Sequence, residues 1–327
     1  MITSLELTGF KSFVDEFIEF KKLTILTGLN SSGKSSIIQS LLMLEKAAKN
    51  EKVYLPGHGS LSELKNNYSS VLGITAKIDN KETISFIDGE TLVSSEISFP
   101  EIIHISADRF GPETSMPIYV DSFNIGRRGE NIFQCIDHYG DHELPSLLLH
   151  EDSEGDTFLF NLRAWLGVIS PNVSFVSKLE EIADSSFATF NGYRAKNVGF
   201  GLSYTLPIIV ALFIGSIIKN SIVIIENPEA HLHPRGQVEI ARLISLAVRT
   251  EANVIIETHS DHIFDGIRIQ AKNLNSEFYK DVILYWFELD KNNNTITEES
   301  TLDKNGRLDN WPAGLFDQFG INASKLL

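Results

Sequence analysis

Leu23-Thr24-Ile25-Leu26-Thr27-Gly28-Leu29-Asn30-Ser31-Ser32-Gly33-Lys34-Ser35-Ser36 is the stretch on which the reading of this chain turns. Its first five residues are apolar or β-branched and read as a strand. A loop of small residues follows, and from Ser35 to Lys49 the residues Ile37, Ile38, Leu41, Leu42 and Leu44 recur at helical spacing. The loop fits G-x-x-x-x-G-K-[ST], in which backbone N–H groups wrap a phosphate, the lysine reaches the β- and γ-phosphates and the hydroxyl binds Mg²⁺. Asn30, Ser31, Ser32, Gly33, Lys34, Ser35 and Ser36 are therefore the candidate phosphate-binding residues, with Ser35 also a candidate metal ligand. A chance match in a chain this long is on the order of one in a hundred. An ordinary Gly-Ser turn would explain neither both glycines nor the lysine.

Working outward, Leu5 to Thr27 alternates apolar and polar residues with a break near Lys11 to Asp15, and Ile74–Ile78, Thr83–Ile87 and Ile102–Ile105 read as antiparallel strands separated by turn residues. From Ser203 the pattern changes to continuous apolar runs alternating with amphipathic helices. A helical run from Ser203 to Ile218, the strand Ser221 to Ile225, a helix near Pro234, the strand Asn253 to Glu257 and a helix after Ser260 predict a parallel sheet covered on both faces. The fold class is α/β, with a parallel core sheet and an antiparallel β subdomain near the amino terminus. Residues 1–327 are expected to form one domain, with a mostly helical lobe inserted at about 114–196. Val282 to Phe287 predicts a further strand, 292–295 a turn, and Trp311 to Phe319 the closing segment. The strand Ile222 to Ile225 ends in Glu226, an acid placed to hold Mg²⁺ through its water shell. His259 follows the next strand and could hydrogen-bond a γ-phosphate or an attacking water.

Composition narrows the classes. Of 327 residues, 28 are Lys or Arg and 43 are Asp or Glu, for a formal charge of −15. A surface that coats a nucleic-acid backbone needs the opposite balance. A hydrophobic share of 43% excludes global disorder. The single cysteine, Cys135, cannot close an internal disulfide, which fits a reducing compartment. Neither a signal-peptide pattern at Met1 to Glu6 nor the run Leu206 to Ile218 suggests a membrane role, so the expectation is a cytoplasmic protein with no membrane partner.

Glu226-Asn-Pro-Glu-Ala-His-Leu-His-Pro234, followed by Glu257-Thr-His-Ser-Asp261 and preceded by Val198-Gly-Phe-Gly-Leu-Ser203-Tyr-Thr-Leu-Pro207, resembles the ABC-type ATPases of the SMC and OLD-nuclease group. The likeness is nearest to small AAA-labelled ATPases that include components of bacterial anti-phage systems such as Septu. His104 to Pro112 and Gly306 to Pro312 resemble their middle and tail segments. The resemblance implies a P-loop ATPase head, a homodimer that sandwiches two ATP molecules with Mg²⁺, and a separate effector protein, such as a nuclease. It gives Ser203 the signature-serine position, donating to the γ-phosphate held by the opposite protomer, and makes His259 the switch histidine. Read without the family, Ser203 is an N-cap and Pro234 a first-turn proline.

One departure bears on chemistry. Where such relatives carry a glutamate that polarises water, this chain has Asn227, an amide that cannot accept a proton. Slow hydrolysis is expected, or substitution by Glu229; the catalytic candidates are thus Glu226, Asn227, Glu229 and His259. A non-hydrolysing scaffold or nucleotide sensor, and a DNA-repair or DNA-tethering ATPase, are the alternative functions. His231, His233, His259 and His262 with Glu229 and Asp261 invite a transition-metal reading, yet His-x-His in a proline-ended loop is not the helical i, i+4 pair. Too few residues follow Asp261 for the nuclease domain of the OLD group. Lys11 with Lys21 and Lys22, and Arg127 with Arg128, read first as solvated surface and second as DNA contacts. Arg109 reads either as a nucleotide contact or as half of an ion pair.

Overall fold

The computed structural model describes residues 1–94, 97–119, 123–273 and 277–326. The chain divides into two compact units, Met1–Ile102 with Tyr279–Leu327, and Ile103–Phe278.

The first unit opens with β1 (Ile2–Phe10), β2 (Phe13–Glu19) and β3 (Leu23–Gly28) and continues into α1 (Lys34–Ala48), β4 (Gly73–Ile78), β5 (Glu82–Ile87) and β6 (Glu90–Val93). An antiparallel sheet runs in the order β2-β1-β4-β5-β6. Its turns follow the residue chemistry: Asp79 and Asn80, in the three-residue turn that ends at Lys81 between β4 and β5, and Asp88 with Gly89, the two-residue hairpin between β5 and β6, are all at positive φ. Asp, Asn and Gly tolerate that conformation, which suits the twist of a two-residue hairpin. The break expected near Lys11 is the β1–β2 turn, with Lys11 at φ 53°. β6, whose residues are all exposed, has no inward apolar face to betray it in the sequence. The helix α1 buries Ile37, Ile38, Leu41 and Leu44 of the predicted spacing, with Met43 buried where Leu42 is only half-buried.

The second unit begins within β7 (Glu101–Ile105) and continues through β8 (Met116–Pro117), α2 (Ile132–Tyr139), α3 (Phe158–Ile169), β9 (Phe175–Glu180), β10 (Ser185–Phe190), β11 (Tyr193–Arg194), α4 (Phe200–Ile217), β12 (Ser221–Glu226), α5 (Pro234–Arg249), β13 (Asn253–Glu257) and α6 (Asp261–Asn273). Its strands run in the order β13-β12-β7. β12 and β13 are parallel and in register from Ile222 opposite Asn253 to Glu226 opposite Glu257. The strand read at Ile102–Ile105 therefore belongs beside β12 and not to the antiparallel set. The segment from about 114 to 196, expected to be mostly helical, is a mixture. Two helices accompany a small antiparallel sheet in which β10 pairs with β9, β8 and β11. In Ser185–Phe190 burial alternates, but Ser186 and Ala188 face inward while Phe187 does not, so the sequence carries no clear period-2 apolar pattern.

α4 is long and apolar enough to cross a membrane by length and composition, but two-thirds of it (67%) is buried within the protein. It packs as a core helix, with Phe213 edge-on to Phe158 of α3 at 5.1 Å. Each large apolar side chain so buried contributes on the order of 1.5–3 kcal/mol. The helix starts three residues earlier than the sequence suggested, with Gly199 as N-cap, so Ser203 lies inside the first turn and is not the cap. α5 and α6 meet at Gly266, where a Cβ would lie 2.5 Å from that of Ala241.

The chain then returns to the first unit with β14 (Val282–Leu289), β15 (Thr295–Thr301) and α7 (Gln318–Leu326). β14 runs parallel to β3, placing Phe287 opposite Gly28, and β15 turns back antiparallel on β14.

Candidate nucleotide site

The phosphate loop lies at the carboxyl end of β3, in the first unit. Two glycines shape it. A Cβ on Gly28 would lie 2.2 Å from the Phe287 carbonyl oxygen, and one on Gly33 would lie 2.6 Å from Thr295 Oγ1. Gly28, Ser31 and Gly33 all have positive φ. Alternation of this kind turns successive N–H groups toward one side and makes an anion-binding concavity. Gly33 is the N-cap of α1, and no side chain caps that helix end. Its partial positive charge thus faces the loop. Lys34 is buried, with Nζ donating to the carbonyls of Gly28 (3.1 Å) and Leu29 (2.6 Å). The ammonium is held across the loop, where it can exchange carbonyl partners for phosphate oxygens. Ser32 donates from its hydroxyl to the Leu29 carbonyl at 2.7 Å, while Ser35 is exposed at the start of the helix.

Beside this loop lies a polar hollow of about 740 Å³, lined among others by Lys11, His58, Lys65, Tyr68 and Asn294. Its adjacency follows from the chain: Ser12 and Thr295, the next residues after Lys11 and Asn294, hydrogen-bond each other, and Thr295 reaches Ser32. Lys11 donates to Gln39 Oε1, and burial lowers its pKa.

In the second unit, the paired ends of β12 and β13 bring Glu226, Asn227, Glu229 and His259 together. Glu226 accepts from His104 Nε2 at 2.8 Å and from the Ala107 amide at 3.2 Å. Burial works to raise the Glu226 pKa, but the His104 bond, the Ala107 amide and Arg127 outweigh it and hold the carboxyl below its ordinary value. The group is thus kept as a carboxylate. Glu229 accepts from Thr258 Oγ1 and from the His259 amide, both at 2.8 Å, fixing the turn that carries the exposed His259. Asn227 is left-handed (φ 47°), and its amide donates to the Glu257 carbonyl at 2.8 Å. Asn enters that conformation more readily than Glu does, a backbone reason for the departure at this position.

Arg109 is 2% exposed and makes no ion pair among the described residues. Its guanidinium donates to the backbone carbonyls of Tyr204 (2.9 Å), Ser106 (3.2 Å), Glu226 (2.9 Å) and Asn227 (2.9 Å), and lies 5.1 Å from the Tyr204 ring. Burial lowers its pKa to about 10. In place of the ion pair, backbone carbonyls are its partners. The side chain is a strut that ties the first turn of α4, including the neighbour of Ser203, to the end of β12. Phe200 and Tyr204 flank the His231 ring at 5.2 and 4.3 Å.

His104, Thr258 and Thr295 escaped the sequence reading as site residues. His104 lies 122 positions from Glu226 and Thr295 lies 263 from Ser32, so no local spacing could reveal them. Among the described residues no group of three or more His, Cys, Asp or Glu could hold a metal ion, which removes the histidine-cluster reading. Mg²⁺ needs no such cage, since it is bound by one or two protein ligands together with phosphates. The exposed Ser35 hydroxyl in the first unit and the ionised Glu226 carboxylate in the second are each an oxygen ligand of the kind Mg²⁺ takes. Arg127 and Arg128 lie near Asp108 at 3.5 and 3.7 Å, and Arg128 stacks 4.0 Å from the Phe110 ring.

A family model described as AAA ATPase domain matches residues 1–163 and 171–264. The chain belongs to this family. Residues 279–326 of this AAA ATPase match a second model, described as a protein of unknown function. No curated protein matches the chain. Among solved structures, it is similar to an Smc head bound to the C-winged helix domain of ScpA, with 17% identity, TM-score 0.58, and coverage of 93% of this chain and 98% of that one. It is also similar to the Smc head of Pyrococcus furiosus bound to the C-terminal domain of ScpA (13%, 0.55, 100% and 99%) and to that of Pyrococcus yayanosii (10%, 0.56, 93% and 97%). At such identities the likeness speaks for the fold: this AAA ATPase has the ABC-type, SMC-like head architecture.

Proposed function

We propose that the protein binds ATP with Mg²⁺, hydrolyses it slowly, and uses the nucleotide to join two copies head to head, so controlling a separate effector protein. The observation that carries this is the loop from Gly28 to Ser35: two sterically required glycines, an uncapped helix end and a lysine coiled across it. Lys34 binds phosphate, Ser35 and Glu226 take Mg²⁺, and the nucleoside occupies the polar hollow between Lys11 and Tyr68. Bound Mg²⁺ would supply charge neutralisation at the β- and γ-phosphates. His104 and the Ala107 amide keep Glu226 ionised and oriented. Asn227 positions water without accepting its proton, and Glu229 holds the turn of His259, so turnover is slow. Ser203 donates to the γ-phosphate held by the opposite copy. On this reading residues 1–327 act as one ATPase domain with the segment at about 114–196 as its lobe, in the cytoplasm. Defence against phage with a nuclease effector is the setting that the E-N-P-E-A-H-L-H-P resemblance supports.

The test is ATP binding and turnover of purified protein. Lys34→Ala should remove both; if neither changes, the assignment fails. Ser203→Arg should abolish ATP-dependent dimerisation while sparing binding by the monomer. A second reading, a scaffold that senses ATP without cleaving it, is favoured by Asn227, and a turnover assay with and without DNA separates the two.

A further inference from the structure

The carboxyl-terminal hairpin of β14 and β15 contributes to the phosphate loop in a way its distance along the chain conceals. Thr295, the first residue of β15, is buried. Its amide donates to the Ser12 carbonyl at 2.8 Å. Its hydroxyl lies 2.8 Å from the Ser32 carbonyl oxygen and 2.7 Å from Ser12 Oγ. A carbonyl can only accept, so the bond to Ser32 uses the Thr295 proton, and Ser12 Oγ is the second acceptor within reach of the same hydroxyl.

In a planar trans peptide the carbonyl and the following N–H point to opposite sides. With the Ser32 carbonyl held by Thr295, the Gly33 N–H points away from β15, to the side on which the loop wraps. This peptide is one that can turn over. Gly33 has φ 109° and no Cβ, and a glycine after the peptide lets it rotate with little steric penalty. The room for any larger residue is already taken by Thr295 Oγ1 and by the Phe13 ring, 2.6 and 3.0 Å from a Cβ at Gly33.

We propose that Thr295 is a positioning residue for nucleotide binding: its hydroxyl locks the Ser32–Gly33 peptide with the Gly33 N–H turned to the phosphate. This rests on the reading that Gly28 to Ser35 binds phosphate. Thr295→Val keeps the shape and removes the donor; Thr295→Ser keeps the donor and removes a methyl group.

In the full-length chain, titration with a fluorescent ATP analogue and Mg²⁺ should show about 10-fold weaker binding for Thr295→Val, the loss expected for one aligned donor, and less than about 2-fold change for Thr295→Ser. The Gly33 amide resonance of the nucleotide-free protein should move and exchange faster in Thr295→Val alone. Thr295→Cys, a weaker donor of nearly the same size, should fall between and serves if Thr295→Val does not fold. Binding by Thr295→Val as tight as wild type, an unmoved Gly33 amide, or failure of Thr295→Ser to restore affinity would each overturn the proposal alone. Absence of binding by the wild type would overturn the phosphate-loop reading and this proposal with it.

Discussion

Replacing Arg109 tests how the second unit holds its acidic strand end. Four N–H donors of one buried cation meet four backbone carbonyls, at 2.9 Å for Tyr204, Glu226 and Asn227 and 3.2 Å for Ser106. A hydrogen bond from a charged donor is worth about 1.5–3 kcal/mol, and a buried carbonyl left without a partner costs about 1–3 kcal/mol. Against this stands the cost of burying the charge. A guanidinium pKa lowered from 12.5 to about 10 corresponds to roughly 3 kcal/mol. The balance predicts that Arg109→Met destabilises the second unit by roughly 3–5 kcal/mol. Arg109→Lys should cost less, about 2–3 kcal/mol, because a point-like ammonium cannot span four acceptors that a planar fork reaches together.

Urea unfolding gives the total, and hydrogen exchange shows where it acts. Amides at 200–208 and at 225–232 should lose protection together, since the strut joins these two segments. ATP turnover should fall further than ATP affinity in Arg109→Lys, because the displaced groups are Glu226 and Asn227. A loss below about 1 kcal/mol in Arg109→Met, or loosening confined to one of the two segments, would refute the reasoning.

Two further perturbations have defined outcomes. Burial pushes the Cys135 thiol up from 9.0 to about 12, so at pH 8 its thiolate is about a thousandfold scarcer than in an exposed cysteine. Iodoacetamide should label it only on unfolding, as read by mass spectrometry across a urea series. Glu226 has a folded pKa below the ordinary value, so its ionised form adds stability above that value, and this is lost as the pH falls through the folded pKa. Glu226→Gln should therefore flatten the loss of stability that wild type shows as the pH falls below the ordinary glutamate value, measured by thermal unfolding, and should weaken Mg²⁺-dependent ATP turnover.

The legible part of the site was its local chemistry. Gly28 to Ser35 could be read because strand, loop and helix follow one another, and Glu226 and Glu257 because each ends a continuous apolar run. The start of α4 was misplaced because Gly199-Phe200-Gly201 has the composition of a loop, while α4 begins within it at Phe200. The antiparallel strands at 175–190 were missed because short half-exposed strands carry few apolar residues to count. Sequence leaves Arg109 between a nucleotide contact and an ion pair, because the four peptide oxygens it meets come from distant segments and leave no local pattern. His104 and Thr295 depend on contacts that only the folded chain creates.

The reliance of the phosphate loop on β14 and β15 also bears on how the protein comes to be folded. Gly28 pairs with Phe287 and Ser32 with Thr295, separations of more than 250 residues. Contacts so distant in sequence must pay a large loop-closure entropy before they form, which places them late in folding. During synthesis the motif leaves the ribosome more than 250 residues ahead of the hairpin that shapes it. A nascent chain would present the motif without a nucleotide-competent loop, so that ATP binding reports the completion of the first unit.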